Sequence, residues 1–177
     1  MLGFLLGVVL VAGVTVVRFL VSTTVYSAEE LRRRSGLPTL GVLASSASKS
    51  AKGLDQYLNK LEKRPDGSND AEMLELIAAT VVSREPKAEN ILVTGDLPQE
   101  RLEELKNALQ HTAALQQKKV SAAESVLKSV AAVAQISDAD VILLAADCTC
   151  SSYDSTLGQK DQIASLGKTV LGCVVFE

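Results

Sequence analysis

The chain has 177 residues and a mass of 18.7 kDa, enough for one compact domain with an appendage and too few for two full-sized domains. Hydrophobic residues at 47% and charged residues at 22% exclude a wholly disordered chain. Aromatic residues at 3%, the lack of Trp and a net charge of −3 exclude a base-stacking platform and a basic nucleic-acid binder, so no nucleic-acid partner is expected. A single histidine (His111) and three cysteines (Cys148, Cys150, Cys173) make neither a transition-metal site of standard spacing nor a disulfide framework.

Hydrophobicity is concentrated at the amino end. Residues 1–17 carry no charge, and beyond Arg18 the apolar run continues to Tyr26. A bilayer-spanning helix takes about 20 mostly apolar residues, and an arginine near one end can reach the headgroups. A signal peptide is disfavoured, because no basic residue precedes the run and no small-residue cleavage site is evident. Residues 1–26 are therefore predicted to form a transmembrane helix. The cations that follow it put the rest of the chain on the cytoplasmic side of an inner or plasma membrane. Arg18, Arg32, Arg33 and Arg34 are expected at the membrane surface, where each cation near anionic lipid contributes about 1 kcal/mol. A span starting at residue 1 with its amino end outside suits the last helix of a longer chain, so a C-terminal piece of a two-span protein is expected.

A juxtamembrane segment is assigned to residues 27–43: Ser27 caps a short helix with Glu29 and Glu30 in its first turn, Gly36 stops it, and an extended stretch follows. Residues 44–69 read as a linker, rich in Ser, Ala and Lys at first, with one short helix inside it. Residues 70–177 alternate in period. A helix over 71–83 is followed by a strand over 90–94, then by a helix with Leu102, Leu105 and Leu109 on one face. Ser121 with Glu124 three residues on has the form of a capping box and predicts a helix through Val126, Leu127, Val130 and Ala134. A strand over 140–146, apolar on both faces, a helix ending near Gly167 and a strand over 169–176 complete a reduced three-layer α/β domain with a mostly parallel sheet.

Two stretches resemble a known family. Ser27-Ala-Glu-Glu-Leu31 followed by Gly36-Leu-Pro-Thr-Leu-Gly-Val-Leu43 is similar to the end of bacterial polysaccharide chain-length determinants, the polysaccharide co-polymerases. Ile91-Leu-Val-Thr94, Pro98, Glu100, Ala139-Asp-Val-Ile-Leu-Leu144 and Gly167-Lys-Thr-Val-Leu-Gly-Cys-Val-Val175 resemble the P-loop domain of bacterial tyrosine autokinases. The resemblance implies a P-loop-like fold and a setting in capsule or exopolysaccharide synthesis.

The departures from that family bear on function. Where the kinases continue P-G-E-G-K-[ST], this chain has Pro98-Gln99-Glu100-Arg101-Leu102-Glu103 after Gly95-Asp96. Gln99 and Arg101 replace glycines that let backbone N–H groups close around phosphates. Leu102 takes the place of the phosphate-binding lysine and Glu103 that of the magnesium-binding hydroxyl. With Glu100 and Glu103 facing a triphosphate, the charge has the wrong sign beside a helix amino end. The chain between this helix and Asp140 is read as too short for the family's additional strand with a second aspartate-bearing phosphate motif. Glu75 stands where the family's oligomerising E-x-x-R has arginine, although Glu72 matches, which leaves homo-oligomerisation open. Asp147, at the end of a central strand, is assigned to a turn, and Tyr153 to a solvated loop.

The expected function is therefore a membrane-anchored, non-enzymatic component of capsular or exopolysaccharide biosynthesis, in chain-length regulation or export. Its pseudo-ATPase domain needs no cofactor and contacts polysaccharide-assembly proteins or a tyrosine kinase. The alternatives are a divergent autokinase or ATPase completed by a partner, and a membrane-tethered interaction domain unrelated to polysaccharide.

Overall fold

The computed structural model describes residues 7, 11–13, 24–25, 27–45 and 69–177. The expected membrane span over 1–26 lies almost entirely outside the described residues, as do Arg18 and the helix expected within 44–69. Among the described residues, no helix is long and apolar enough to cross a membrane.

The described chain is an α/β fold built on a parallel sheet. Helix α1 (Ala28–Ser35) precedes β1 (Thr39–Leu43). Then come α2 (Asp70–Arg84), β2 (Asn90–Gly95), α3 (Gln99–Gln110) and β3 (Lys119–Ala123). Next are α4 (Val130–Asp138), β4 (Val141–Asp147), α5 (Tyr153–Ser165) and β5 (Val170–Phe176). The five strands lie in the order β1-β5-β4-β2-β3, every pair parallel. β4 is buried along its whole length, as its apolar run on both faces requires of a central strand.

Two apolar layers cover the sheet. On one face α2 and α3 contribute Ile77, Ala78, Val81, Leu102, Leu105 and Leu109 against Ile91, Val93, Leu143 and Val174. On the other, α1, α4 and α5 contribute Leu31, Ala132, Ile136 and Ile163 against Leu92, Ile142, Leu144 and Val175. Alternate strand residues serve opposite layers because successive side chains of a strand point to opposite faces. Each fully buried Leu or Ile in these layers contributes about 1.5–3 kcal/mol relative to leaving it in water.

The start of α1 has the expected form. The Ser27 Oγ accepts from the Glu30 N–H at 3.2 Å, and Gly36 closes the helix in the left-handed region at φ 66°. The segment 27–43, assigned by sequence to the membrane boundary, supplies the edge strand β1, which pairs with β5. Ala44 and Ser45, placed at the start of the linker, are buried instead. The Ala44 N–H donates to Asp70 Oδ1 at 3.0 Å, and the Ser45 N–H donates to the Glu177 carbonyl at 2.7 Å, which anchors both to the domain.

Two expectations are corrected. The helix read from Ser121 begins only at Val130, and Ser121 lies within β3. Its hydroxyl donates to the Ile91 carbonyl of the neighbouring strand rather than capping a helix, so pairing with β2 overrides the local signal. The interval between α3 and Asp140, expected to be too short for an additional strand, does hold one, β3, reached through a compact turn over 111–118. It is five residues long, Lys-Val-Ser-Ala-Ala, and carries no aspartate.

Candidate functional site

In an open parallel sheet, the crevice forms beyond the carboxyl ends of the strands where the strand order reverses. That point falls here between β2 and β4. From β2 the chain runs outward through α3 to β3, and from β4 it runs the other way through α5 to β5. The two strands come very close at this end: a Cβ on Gly95 would stand 2.0 Å from the Ala145 carbonyl oxygen. Only glycine fits there.

The residues after Gly95, expected from the resemblance to be an altered phosphate loop, fall into distinct environments at this crevice. Pro98 precedes α3 with φ −56° and accepts from the backbone N–H groups of Arg101 and Leu102, at 3.0 and 3.2 Å. Those two amides are thus turned into the helix. Leu102, which the resemblance sets at the place of a phosphate-binding lysine, is fully buried in the core. Glu103 pairs with Lys106 at 2.6 Å and accepts from Gln99 Nε2 at 3.3 Å, while Glu100 is exposed. The two acidic residues expected to face a triphosphate are therefore divided between a local surface network and solvent.

Arg101 occupies the crevice. Its Nη2 lies 3.7 Å from Asp147 Oδ2, its Nη1 lies 3.3 Å from Glu104 Oε2, and its guanidinium carbon stands 4.8 Å from the centroid of the Phe176 ring. This one side chain joins the ends of β4 and β5 to the first turn of α3. It also lines a cavity of about 130 Å³ floored by Leu43, Leu74, Leu105 and Phe176.

Asp147 is more than the turn residue read from sequence. It is 3% exposed, and its Oδ1 accepts from the Thr149 N–H at 2.7 Å and from the Thr149 hydroxyl at 2.5 Å. The Ser151 hydroxyl ties the two strand ends together by accepting from the Asp147 N–H at 2.9 Å and donating to the Asp96 carbonyl at 3.0 Å. Asp96 Oδ1 pairs with Lys128 Nζ at 2.7 Å, and that contact raises the lysine above its ordinary range. Thus Asp96 and Asp147, the carboxylates at the ends of β2 and β4, each face a cation supplied by the chain itself. Ser151, Lys128 and Phe176 were not singled out in the sequence; of the site-forming residues beyond the loop, only Asp147 carried a signal, through its place at a strand end.

No family model matches this chain, and no curated protein matches it. Among solved structures, the crystal structure of the chimerical protein CapA2B2 is similar, with 13% identity and a TM-score of 0.43, over 85% of this chain and 98% of that one.

The remaining sequence candidates are placed as follows. Arg32 and Arg33 are exposed on α1. Arg34 is engaged within the domain, 2.6 Å from Glu30 and 4.5 Å from the Tyr153 ring centroid. Tyr153, expected on a solvated loop, is 2% exposed and begins α5, because it fills the seam between α1 and α5. Its hydrogen bond to Glu30, with help from Arg34, holds that carboxyl below the usual range. His111 is exposed at the end of α3. Among the cysteines, Cys148 is partly buried and Cys150 exposed, while burial pushes the Cys173 thiol up to about 12.

Proposed function

We propose that this chain is a membrane-anchored, non-catalytic component of capsular or exopolysaccharide biosynthesis, acting in chain-length regulation or export. Its P-loop-like domain is a pseudo-ATPase held at the cytoplasmic face of the inner membrane, where it serves as an interaction module for polysaccharide-assembly proteins or a tyrosine kinase. The anchor is the apolar stretch 1–26, and the cations Arg18, Arg32 and Arg33 face anionic lipid.

The observation that carries the non-catalytic reading is the position of Arg101. Nucleotide chemistry in such a crevice depends on open backbone amides, a mobile lysine and a metal-binding hydroxyl. Here the arginine lies against Asp147 and Phe176, Leu102 is in the core, and the Arg101 and Leu102 amides donate to Pro98. The polysaccharide setting is supported by the sequence resemblance of the 27–43 segment and of the strands around the crevice.

Calorimetric titration of the full chain with Mg-ATP tests the non-catalytic reading. No saturable binding is expected below about 1 mM, a threshold near −4 kcal/mol, and micromolar binding would overturn it. Deletion of the gene in its host tests the polysaccharide assignment: a changed polymer length or amount is expected, and unchanged polymer would defeat it.

A further inference from the structure

The chain just ahead of α1 reaches across the domain to the crevice. The Val25 N–H donates to the Ser151 carbonyl at 3.0 Å, Thr24 and Ser152 form an antiparallel bridge, and the Val25 side chain is fully buried. Ser151 is itself buried, and its hydroxyl joins Asp96 to Asp147. The loop around it is held by Asp147 as well, whose carbonyl accepts from the N–H groups of Cys150 and Ser151 at 3.2 and 2.8 Å. Ser151 therefore meets the N-terminal segment through its backbone and both central strand ends through its side chain. Asp147 passes the connection on to Arg101.

We propose that residues 24–25 form a latch that keeps the 147–152 loop, and with it the Arg101–Asp147 pair, in the closed arrangement. Displacement of the latch loosens the loop. The segment that leads from the apolar stretch into the domain thereby sets the state of the crevice. Coupling of this kind is reciprocal, because loosening either partner removes stabilisation from the other by the same free energy. The biological meaning of the latch rests on the proposed function, but its physical test does not involve nucleotide.

Hydrogen exchange of the full chain provides that test. Val25→Pro removes the N–H that meets Ser151. It should speed exchange at the Thr149, Cys150 and Ser151 amides by about tenfold or more, the response of a local opening that has lost a tie. It should also accelerate alkylation of Cys150, which lies within that loop. Ser151→Ala keeps every backbone donor and acceptor, yet exchange at the Val25 amide should rise. Faster exchange confined to residues 24–31 in the first variant, or an unchanged Val25 amide in the second, would overturn the latch. If Val25→Pro fails to fold, Ser151→Ala decides alone. Mg-ATP binding by the unaltered chain would overturn the pseudo-ATPase reading and leave these exchange results standing.

Discussion

The Arg101 guanidinium lies 3.7 Å from the Asp147 carboxylate and 4.8 Å from the centre of the Phe176 ring, so a side chain from the first turn of α3 closes the crevice between the central strands. Asp147 is buried, and a buried carboxylate needs a partner to remain charged at low cost. Thr149 supplies two hydrogen bonds to one oxygen, and Arg101 supplies the charge near the other.

Arg101→Ala should destabilise the domain by about 2 kcal/mol, below the usual loss of about 3–5 kcal/mol for a broken buried pair, because the separation is long and the arginine is partly exposed. Asp147→Asn alone should also cost stability. In a double-mutant cycle followed by urea unfolding, the combined loss should be smaller than the sum of the two, which identifies direct coupling. Additive losses would show that the two side chains act independently.

Placing a lysine at position 102 should not create nucleotide binding. Leu102 is 0% exposed and packs among Leu105, Val93 and their neighbours. Leu102→Lys would place an ammonium group in that layer at a cost of about 3–5 kcal/mol. A lower thermal midpoint with no gain in Mg-ATP binding is the expected outcome, read by calorimetry of both kinds.

Gly95→Ala should be among the most damaging single-methyl substitutions. The added carbon would collide with backbone, the Ala145 carbonyl at 2.0 Å, and backbone in a central strand cannot rotate aside. A loss of about 3 kcal/mol is expected, at the upper end for overpacking. Urea unfolding of the variant beside the unaltered chain reads this loss, and a loss below about 1 kcal/mol would show that the strands move apart to admit the methyl.

Acid should weaken the seam between β2 and β4 at its amino end. Asp140 Oδ2 accepts from the Glu89 and Asn90 N–H groups, each at 2.9 Å, and these bonds hold its carboxyl below the ordinary range. Because the folded-state value is depressed, this stabilisation is complete above the unfolded value of about 4 and fades as pH falls through the folded one. Asp140→Asn should therefore flatten the acid limb of the stability profile while changing its slope little near neutrality. An unchanged acid limb would remove Asp140 from the account.

The thiols should separate kinetically. Cys173 is buried in the second apolar layer with its thiol pushed up to about 12, so it should resist alkylation until the protein unfolds. Cys150 is exposed and should react in the native state. Partial desolvation of the sulfur by its own loop, and then the charge of Asp147, raise its thiol, so the rate should fall below that of a free cysteine at the same pH. Mass spectrometry after timed labelling distinguishes these sites.

Residue pattern alone located most of the secondary structure. The Leu102–Leu105–Leu109 spacing marked α3, the unbroken apolar run marked β4, and Ser27 with Gly36 bounded α1. The residue types that follow Gly95 were equally legible, Pro98-Gln99-Glu100-Arg101-Leu102-Glu103, with no lysine at 102 and no hydroxyl at 103. β3 was not legible: Lys119-Val-Ser-Ala-Ala123 is short and weakly apolar, and it becomes a strand through pairing with β2.

What the sequence determined by itself was therefore local: periodicity, caps, and which side chain types follow each strand. The tertiary structure alone decided that 27–43 supplies an edge strand, that Tyr153 is buried, and that Arg101 reaches Asp147 while Val25 reaches Ser151. Those partners are 46 and 126 residues apart in the chain. Nothing in the local spacing encodes such a meeting, because it follows from the order in which five strands pair and from which of their ends the helices leave.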